Sequence, residues 1–270
     1  MGAFRYEGHR IEYDSYGEGE KVIVLVHGLL MNRRMFDRLA PELAGRGNRV
    51  VCVDMLGHGR SDRPEDLRLY SMPLFGRQLA ALLDHLEEPD AVVGGTSLGA
   101  NIALELATRE PRRARGLFIE MPVLDNALPA VAAIFAPLLL GLRAGRPFFE
   151  GVSLLTSAIP RTNYVLDIGL DWVRQKPGPS SAVLEGLLLG ETAPHRELRT
   201  QILQPTLIVG HPRDPLHPFS DSGMLAEELP NARLVQANSI LEWRLRPERL
   251  NAELTAWLDE VFAAPAVAAA

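Results

Sequence analysis

With a single cysteine in 270 residues, the chain can form no internal disulfide. Cys52 sits in the apolar stretch Arg49-Val50-Val51-Cys52-Val53-Asp54, where a thiol packs as a small hydrophobe. Lysine is nearly as scarce. Lys21 and Lys176 are the only two, so arginine carries almost all the positive charge. Acidic residues outnumber basic ones, 34 against 28, for a formal charge of −6. With the arginines dispersed rather than striped, that balance argues against a nucleic-acid partner. An apolar leader is also missing: Met1 to Glu20 is polar, which makes the cytoplasm the expected location. So is an uncharged run long enough to cross a bilayer. Ala127 to Leu142 comes nearest, but it falls short of the roughly 20 residues a span needs. Pro129 and Pro137 also interrupt it. It reads as a lid helix over an apolar pocket, with glancing contact with a lipid surface as a lesser role.

What is present is an alternation of buried strands and helices. Lys21 to Val26 and Val50 to Asp54 are short apolar, β-branched runs, as strands covered on both faces require. Arg10 to Tyr16 alternates weakly and reads as an edge strand. Helical spacing follows near 33–44, stopping at Gly45 and Gly47, and again from Met72 to Leu86. Further buried strands are expected at Ala91 to Thr96, Arg115 to Glu120 and Pro205 to Gly210. Then come a helix near Ser220 to Leu229, a strand at Ala232 to Gln236 and a closing helix from Pro247 to Phe262. This pattern predicts an α/β fold, a mainly parallel sheet with helices on both faces. From Pro122 to about Arg199 the alternation stops and the spacing is helical throughout. The expected division is a core of 1–121 and 200–263, an inserted helical cap of 122–199, and a flexible tail of 264–270.

The most informative stretch is Ala91-Val92-Val93-Gly94-Gly95-Thr96-Ser97-Leu98-Gly99, an apolar strand running into G-x-S-x-G and then a periodic helix. Glycines at 95 and 99 let strand and helix approach while the serine is pushed out at the strand end. The helix start behind it supplies free N–H groups where an oxyanion would form. That arrangement suits a nucleophile. No ligand cluster is visible, and the Gly94-Gly95 turn leads to a nucleophile rather than a phosphate site. No metal and no organic cofactor is therefore expected.

On these motifs the chain resembles the α/β-hydrolase family over nearly its whole length. The matching features are His27-Gly28, Asp54 with Gly57-His58-Gly59-Arg60-Ser61, Gly95-Thr96-Ser97-Leu98-Gly99, and Gly210-His211-Pro212-Arg213-Asp214. The resemblance implies Ser97 as nucleophile and the backbone N–H groups of Leu29 and Leu98 as the oxyanion hole. Two such donors each stabilise a tetrahedral oxyanion by about 3 kcal/mol. It implies Asp214 as the acid, with Glu120, at the end of the preceding strand, as the alternative acid position. It also implies that His27 and His58 hold loops rather than move protons.

One element of that pattern is missing. Relatives carry the base in the loop after the last strand, and here Ala237 to Pro247 contains no histidine. Counting back from Pro247 puts Ile240 at the vacant position, and counting forward from the strand puts Glu242 there. A serine hydroxyl needs a neighbour to accept its proton, and imidazole suits neutral pH. His217, three residues past Asp214, is the leading candidate base, with Glu242 and His211 as alternatives. Trp243 either anchors the loop, fills the vacated space or stacks on substrate. Three functions fit these residues. The first is a serine hydrolase of small, mainly apolar esters; the others are a non-hydrolytic enzyme on the same fold and an apolar-ligand binder without a base.

Overall fold

The computed structural model describes residues 1–265. Its eight strands are β1 (Gly2–Tyr6), β2 (His9–Tyr16), β3 (Lys21–Val26), β4 (Asn48–Asp54), β5 (Ala91–Thr96), β6 (Ala114–Glu120), β7 (Thr206–Gly210) and β8 (Ala232–Gln236). They form one sheet in the order β1-β2-β4-β3-β5-β6-β7-β8. From β4 to β8 every pairing is parallel, while β1–β2 and β2–β4 are antiparallel. The helices of the first half are α1 (Leu39–Ala44), α2 (Met72–His85) and α3 (Leu98–Arg109). Between β6 and β7 stand α4 (Leu128–Ala144), α5 (Arg146–Ser157), α6 (Tyr164–Val173), α7 (Pro177–Leu188) and α8 (Arg196–Arg199). The chain closes with α9 (Phe219–Glu228), α10 (Glu242–Leu245) and α11 (Glu248–Ala263).

Strand periodicity divides the core into two layers. Val22, Val24 and Val26 of β3 pack with Leu79 and Leu82 of α2 and Ile102 of α3. The alternate residues Ile23 and Leu25 pack with Leu39 and Leu43 of α1 and Leu254 and Trp257 of α11. Each such side chain taken from water contributes about 1.5–3 kcal/mol. This two-sided burial is why β3 and β4 are continuous apolar runs. It also aligns the carboxyl ends of the parallel strands along one rim, where ligands of open α/β sheets bind.

Two local readings need correction. The edge at this side of the sheet is β1, not the strand at Arg10 to Tyr16, because β1 pairs on the outer side of β2, with Phe4 opposite Ile11. Only Phe4 of the five β1 residues is buried, so the segment shows no apolar alternation. The helix expected near 33–44 is divided into a 3-10 turn at Arg33–Phe36 and α1. Pro41 has no N–H to return to residue 37, which prevents one continuous helix.

The insertion between β6 and β7 is helical throughout. Its α4 is apolar on two faces. Phe135 and Leu142 are buried, whereas Ile134 and Leu140 are exposed at 43% and 68%. Among the described residues no single helix is long and apolar enough to cross a membrane, and α4 and α5 bend by 97° at Gly145. Asp221 of α9 pegs the entrance to the insertion, accepting from the N–H groups of Leu124 (2.8 Å), Asn126 (3.0 Å) and Ala127 (3.1 Å). From residue 266 on, the tail expected to be flexible lies outside the described residues.

Candidate active site

β5 ends at Thr96, and α3 begins at Leu98. Ser97 between them has φ +56° and ψ −109°, a region a side chain rarely adopts and that costs about 1–3 kcal/mol. Gly95 and Gly99 make the turn possible, since a Cβ on either would collide with the Val26 carbonyl oxygen of β3. The surrounding hydrogen bonds hold the strain in place. The Ser97 N–H donates to the Glu120 carbonyl at 2.8 Å, and the Ser97 carbonyl accepts from Asn101 N–H at 3.1 Å. Asn101, one turn along α3, ties that helix to Val123 and Thr192 at the two ends of the insertion.

The turn after β7 brings two more side chains to the serine. Asp214 Oδ1 accepts the backbone N–H groups of Leu216 (2.8 Å) and His217 (3.0 Å), closing an Asx turn. Its other oxygen is then free for the ring, and His217 Nδ1 lies 3.0 Å from Asp214 Oδ2. His217 Nε2 lies 2.9 Å from Ser97 Oγ. A carboxylate can only accept, so Nδ1 carries the proton and Nε2 presents a lone pair to the serine hydroxyl. Burial pushes the Asp214 carboxyl up, but the His217 ring and the two backbone donors outweigh it and hold it below its ordinary value.

The loops flanking Ser97 are held by the other two motif histidines. His27 Nδ1 donates to the Gly28 carbonyl at 2.8 Å, and its Nε2 accepts from Met55 N–H at 3.1 Å. His58 packs on it, ring centres 4.8 Å apart, and burial drives its pKa well down, so it stays neutral. The loop after β3 turns sharply, with Met31 N–H donating to Gly28 at 3.1 Å and Leu30 at φ +56°. Leu29 of this loop and Leu98 of α3 border the same cavity as Ser97 and His217. That cavity of about 60 Å³ is roofed by Val131 and Phe135 of α4 and by Leu184, Leu187 and Leu188 around α7. A larger open cleft of about 900 Å³ lies elsewhere, lined by Arg33, Arg161 and Arg174 among others and not by Ser97. Its arginines pair with Asp14, Asp54 and Asp171, and the smaller, apolar cavity is the one that Ser97 and His217 border.

The remaining candidates are not brought to Ser97 Oγ. Glu120 does not meet His217; its carboxylate accepts from the Thr96 hydroxyl and from Arg244 at 2.9 Å, and faces His211 Nε2 at 3.2 Å. Burial alone would raise its pKa, but Arg244 and His211 outweigh that and hold it well below the carboxylate range. His211 is fixed by Nδ1 donating to the Ser239 carbonyl at 3.0 Å. Acceptors then face both its nitrogens, and against its burial Glu120 raises its pKa. Glu242, offered as a replacement base or acid, turns away. It accepts from Asn238 and from Arg249 at 2.8 and 2.9 Å, bracing its own loop. Trp243 anchors that loop, donating to Asn251 Oδ1 at 2.6 Å and meeting Phe118 edge-on at 5.2 Å. Sequence reasoning missed Thr96 and Arg244. The available signal was an arginine, Arg244, in the very loop where a histidine was sought.

Comparison with known proteins agrees with this architecture. A family model described as alpha/beta hydrolase fold matches residues 21–239. The 3-hydroxybutyrate-oligomer hydrolase of Cupriavidus necator is 34% identical over 149 residues, 54% of this chain and 50% of that protein, so the match spans half the relative's length. The pimeloyl-acyl-carrier-protein methyl ester esterase of Aeromonas hydrophila is 28% identical over 235 residues, 83% of this chain and 89% of that one. Among solved structures, the enol-lactonase of Burkholderia xenovorans superposes with a TM-score of 0.77 at 20% identity, covering 96% of this chain and all of that one (100%). From β3 to the loop after β8, sheet order, the strained turn at Ser97 and family model coincide, and the chain belongs to the alpha/beta hydrolase fold family.

Proposed function

We propose that this chain is a serine hydrolase of small, mainly apolar esters, working through an acyl-enzyme. The observation that carries the reading is the chain of contacts from Ser97 Oγ to His217 Nε2 at 2.9 Å and from His217 Nδ1 to Asp214 at 3.0 Å. On this reading His217 takes the hydroxyl proton as Ser97 attacks the ester carbonyl. The Leu29 and Leu98 amides receive the negative charge on the carbonyl oxygen. Collapse of the tetrahedral species breaks the bond to the alcohol, which leaves with the proton held on His217. A water molecule, deprotonated by the same imidazole, then releases the acid and returns Ser97 to its starting state. Asp214 keeps the imidazole in the required tautomer and stabilises its charged form.

The cavity supports a short acyl group. At about 60 Å³, and with roughly 10–15 Å³ for each water-sized position, it accommodates about four to six non-hydrogen atoms. Its walls are Leu, Val, Met and Phe side chains, with Asn101 already bonded to Val123 and Thr192. The helical insertion, 122–199, then serves as the cap that forms the roof. The imidazole within hydrogen-bond reach of the serine favours this reading over the binder and the non-hydrolytic enzyme, each of which rested on a missing base.

A fluorophosphonate probe tests the assignment. Wild type is expected to be labelled, and Ser97→Ala and His217→Ala are not. A folded wild-type protein that stays unlabelled overturns the nucleophile, and labelling that survives His217→Ala removes the base.

A further inference from the structure

Behind the serine lies a buried ionic cluster that the proposed reaction does not use. Glu120 is 2% exposed, Thr96 6% and His211 1%. A buried ion pair is seldom the most stable filling for such a space, since apolar side chains often do as well or better. Its geometry is directed at the nucleophile turn. The Glu120 backbone carbonyl accepts from Ser97 N–H at 2.8 Å, while its carboxylate accepts from the hydroxyl of Thr96, the preceding residue. One residue thus grips two consecutive positions of the turn. Arg244 closes the arrangement from the loop after β8, 2.9 Å from Glu120 Oε2 and 3.4 Å from Thr96 Oγ1.

We propose that Glu120, Arg244 and Thr96 are positioning residues for the nucleophile, a clamp that fixes the strained backbone of Ser97 from behind. The inference rests on the reading of Ser97 as the nucleophile. A positive-φ serine persists only where its surroundings over-determine it, and Ser97 is held here at its own amide and at the side chain before it. Arg244 has a second effect. It neutralises a carboxylate buried next to the turn, whose charge would otherwise oppose the negative charge that develops on the substrate oxygen. None of the three touches the reacting atoms, so their loss acts on turnover rather than on substrate affinity.

The test uses Thr96→Val, Glu120→Gln, Arg244→Met, Arg244→Lys and the Glu120→Gln/Arg244→Met pair. The readouts are kcat and KM for 4-nitrophenyl butyrate, the rate of fluorophosphonate labelling, and Tm. Thr96→Val removes one hydroxyl, leaves the ion pair intact and keeps the fold. It is expected to lower kcat and labelling rate by about fivefold with KM within about twofold. Glu120→Gln and Arg244→Met are each expected to cost about 30-fold or more in kcat, with the pair no slower than the worse single, as coupled residues behave. Arg244→Lys, which keeps the charge, is expected to recover most of the loss. Wild-type kcat and labelling in a folded Thr96→Val overturns the clamp. So does an Arg244→Met that lowers Tm and leaves kcat unchanged, the mark of a merely structural pair. Variants that label as fast as a labelled wild type sink the clamp alone, while an unlabelled wild type removes the nucleophile and this inference with it.

Discussion

The turn after β7 reaches Ser97 with an imidazole, whereas the loop after β8 reaches Thr96, one residue earlier, with a guanidinium. The two segments approach the same strand end by different chemistry. The first is a proline-braced turn in which Asp214 and His217, three residues apart, meet through an Asx turn. The second is pinned by Trp243 to Asn251 and by Glu242 to Asn238 and Arg249. An imidazole exchanges a proton near neutrality; a guanidinium stays charged throughout and transfers none. The loop after β8 can therefore hold charge beside the Ser97 turn, and only the turn after β7 is equipped to accept a proton there.

The largest expected effect comes from removing that imidazole and trying to restore it in the loop after β8. His217→Ala is expected to lower kcat by about 10³-fold or more for a short-chain ester. Adding Glu242→His in that background is expected to leave kcat within about tenfold of the single variant. The side chain at 242 is directed to Asn238 and Arg249, within its own loop. A recovery to near wild-type turnover breaks the comparison, since it would make the two loops interchangeable.

Asp214→Asn comes next, at about 10²–10⁴-fold in kcat, because an amide at this position no longer selects the tautomer with Nε2 free. The same variant tests the electrostatics. The Asp214 carboxyl is held below its ordinary value in the folded state, so ionised Asp214 contributes stability above the unfolded pKa near 4. That contribution disappears as pH falls through the lower folded value. Thermal unfolding from pH 7 down to pH 2.5 is therefore expected to show a Tm deficit for Asp214→Asn at neutral pH that narrows in acid. A deficit that stays constant with pH contradicts the assignment of the shift to this carboxylate.

Most of the sheet was readable because burial on both faces writes itself as apolar runs, as in β3 and β4. The turn at Ser97 was readable because Gly95 and Gly99 are required where β3 passes beneath. β1 was not, since a five-residue edge strand with one buried side chain leaves no periodic trace. At the site, Ser97 and Asp214 stood on strand ends that the alternation had already placed. His217 was reachable only as one of several candidates, because its meeting with Asp214 depends on an Asx turn rather than on strand order. The presence of Arg244 in the loop after β8 was visible, but its pairing was not: its partners Glu120 and Thr96 lie 124 and 148 residues away in the chain. Such a contact follows from sheet order, not from local pattern.

The helical insertion, proposed as a cap, makes a smaller prediction, in selectivity rather than rate. Phe135 of α4 roofs the cavity and is 8% exposed. Phe135→Ala is expected to shift the ratio of kcat/KM between octanoyl and butyryl esters by about tenfold toward the longer chain. It should also cost about 3–5 kcal/mol of stability, as large-to-small changes in packed sites do. An unchanged ratio places the acyl chain elsewhere and detaches the insertion from specificity.

Trp243→Phe carries the smallest expected effect and sharpens the contrast between the two loops most directly. The substitution keeps a ring against Phe118 and removes the donor to Asn251, leaving a buried acceptor with one fewer partner. Asn251 still donates to Glu42 at 2.5 Å, so the loss is confined to one hydrogen bond of about 1 kcal/mol, or a Tm decrease of about 2–4 °C. Arg244 keeps both of its contacts, with Glu120 and with Thr96, because neither passes through the indole. Turnover is therefore expected within about twofold of wild type. If kcat instead falls by as much as in Arg244→Met, the anchor and the clamp are one mechanical unit. The loop after β8 would then influence Ser97 through its packing as a whole rather than through one charged side chain.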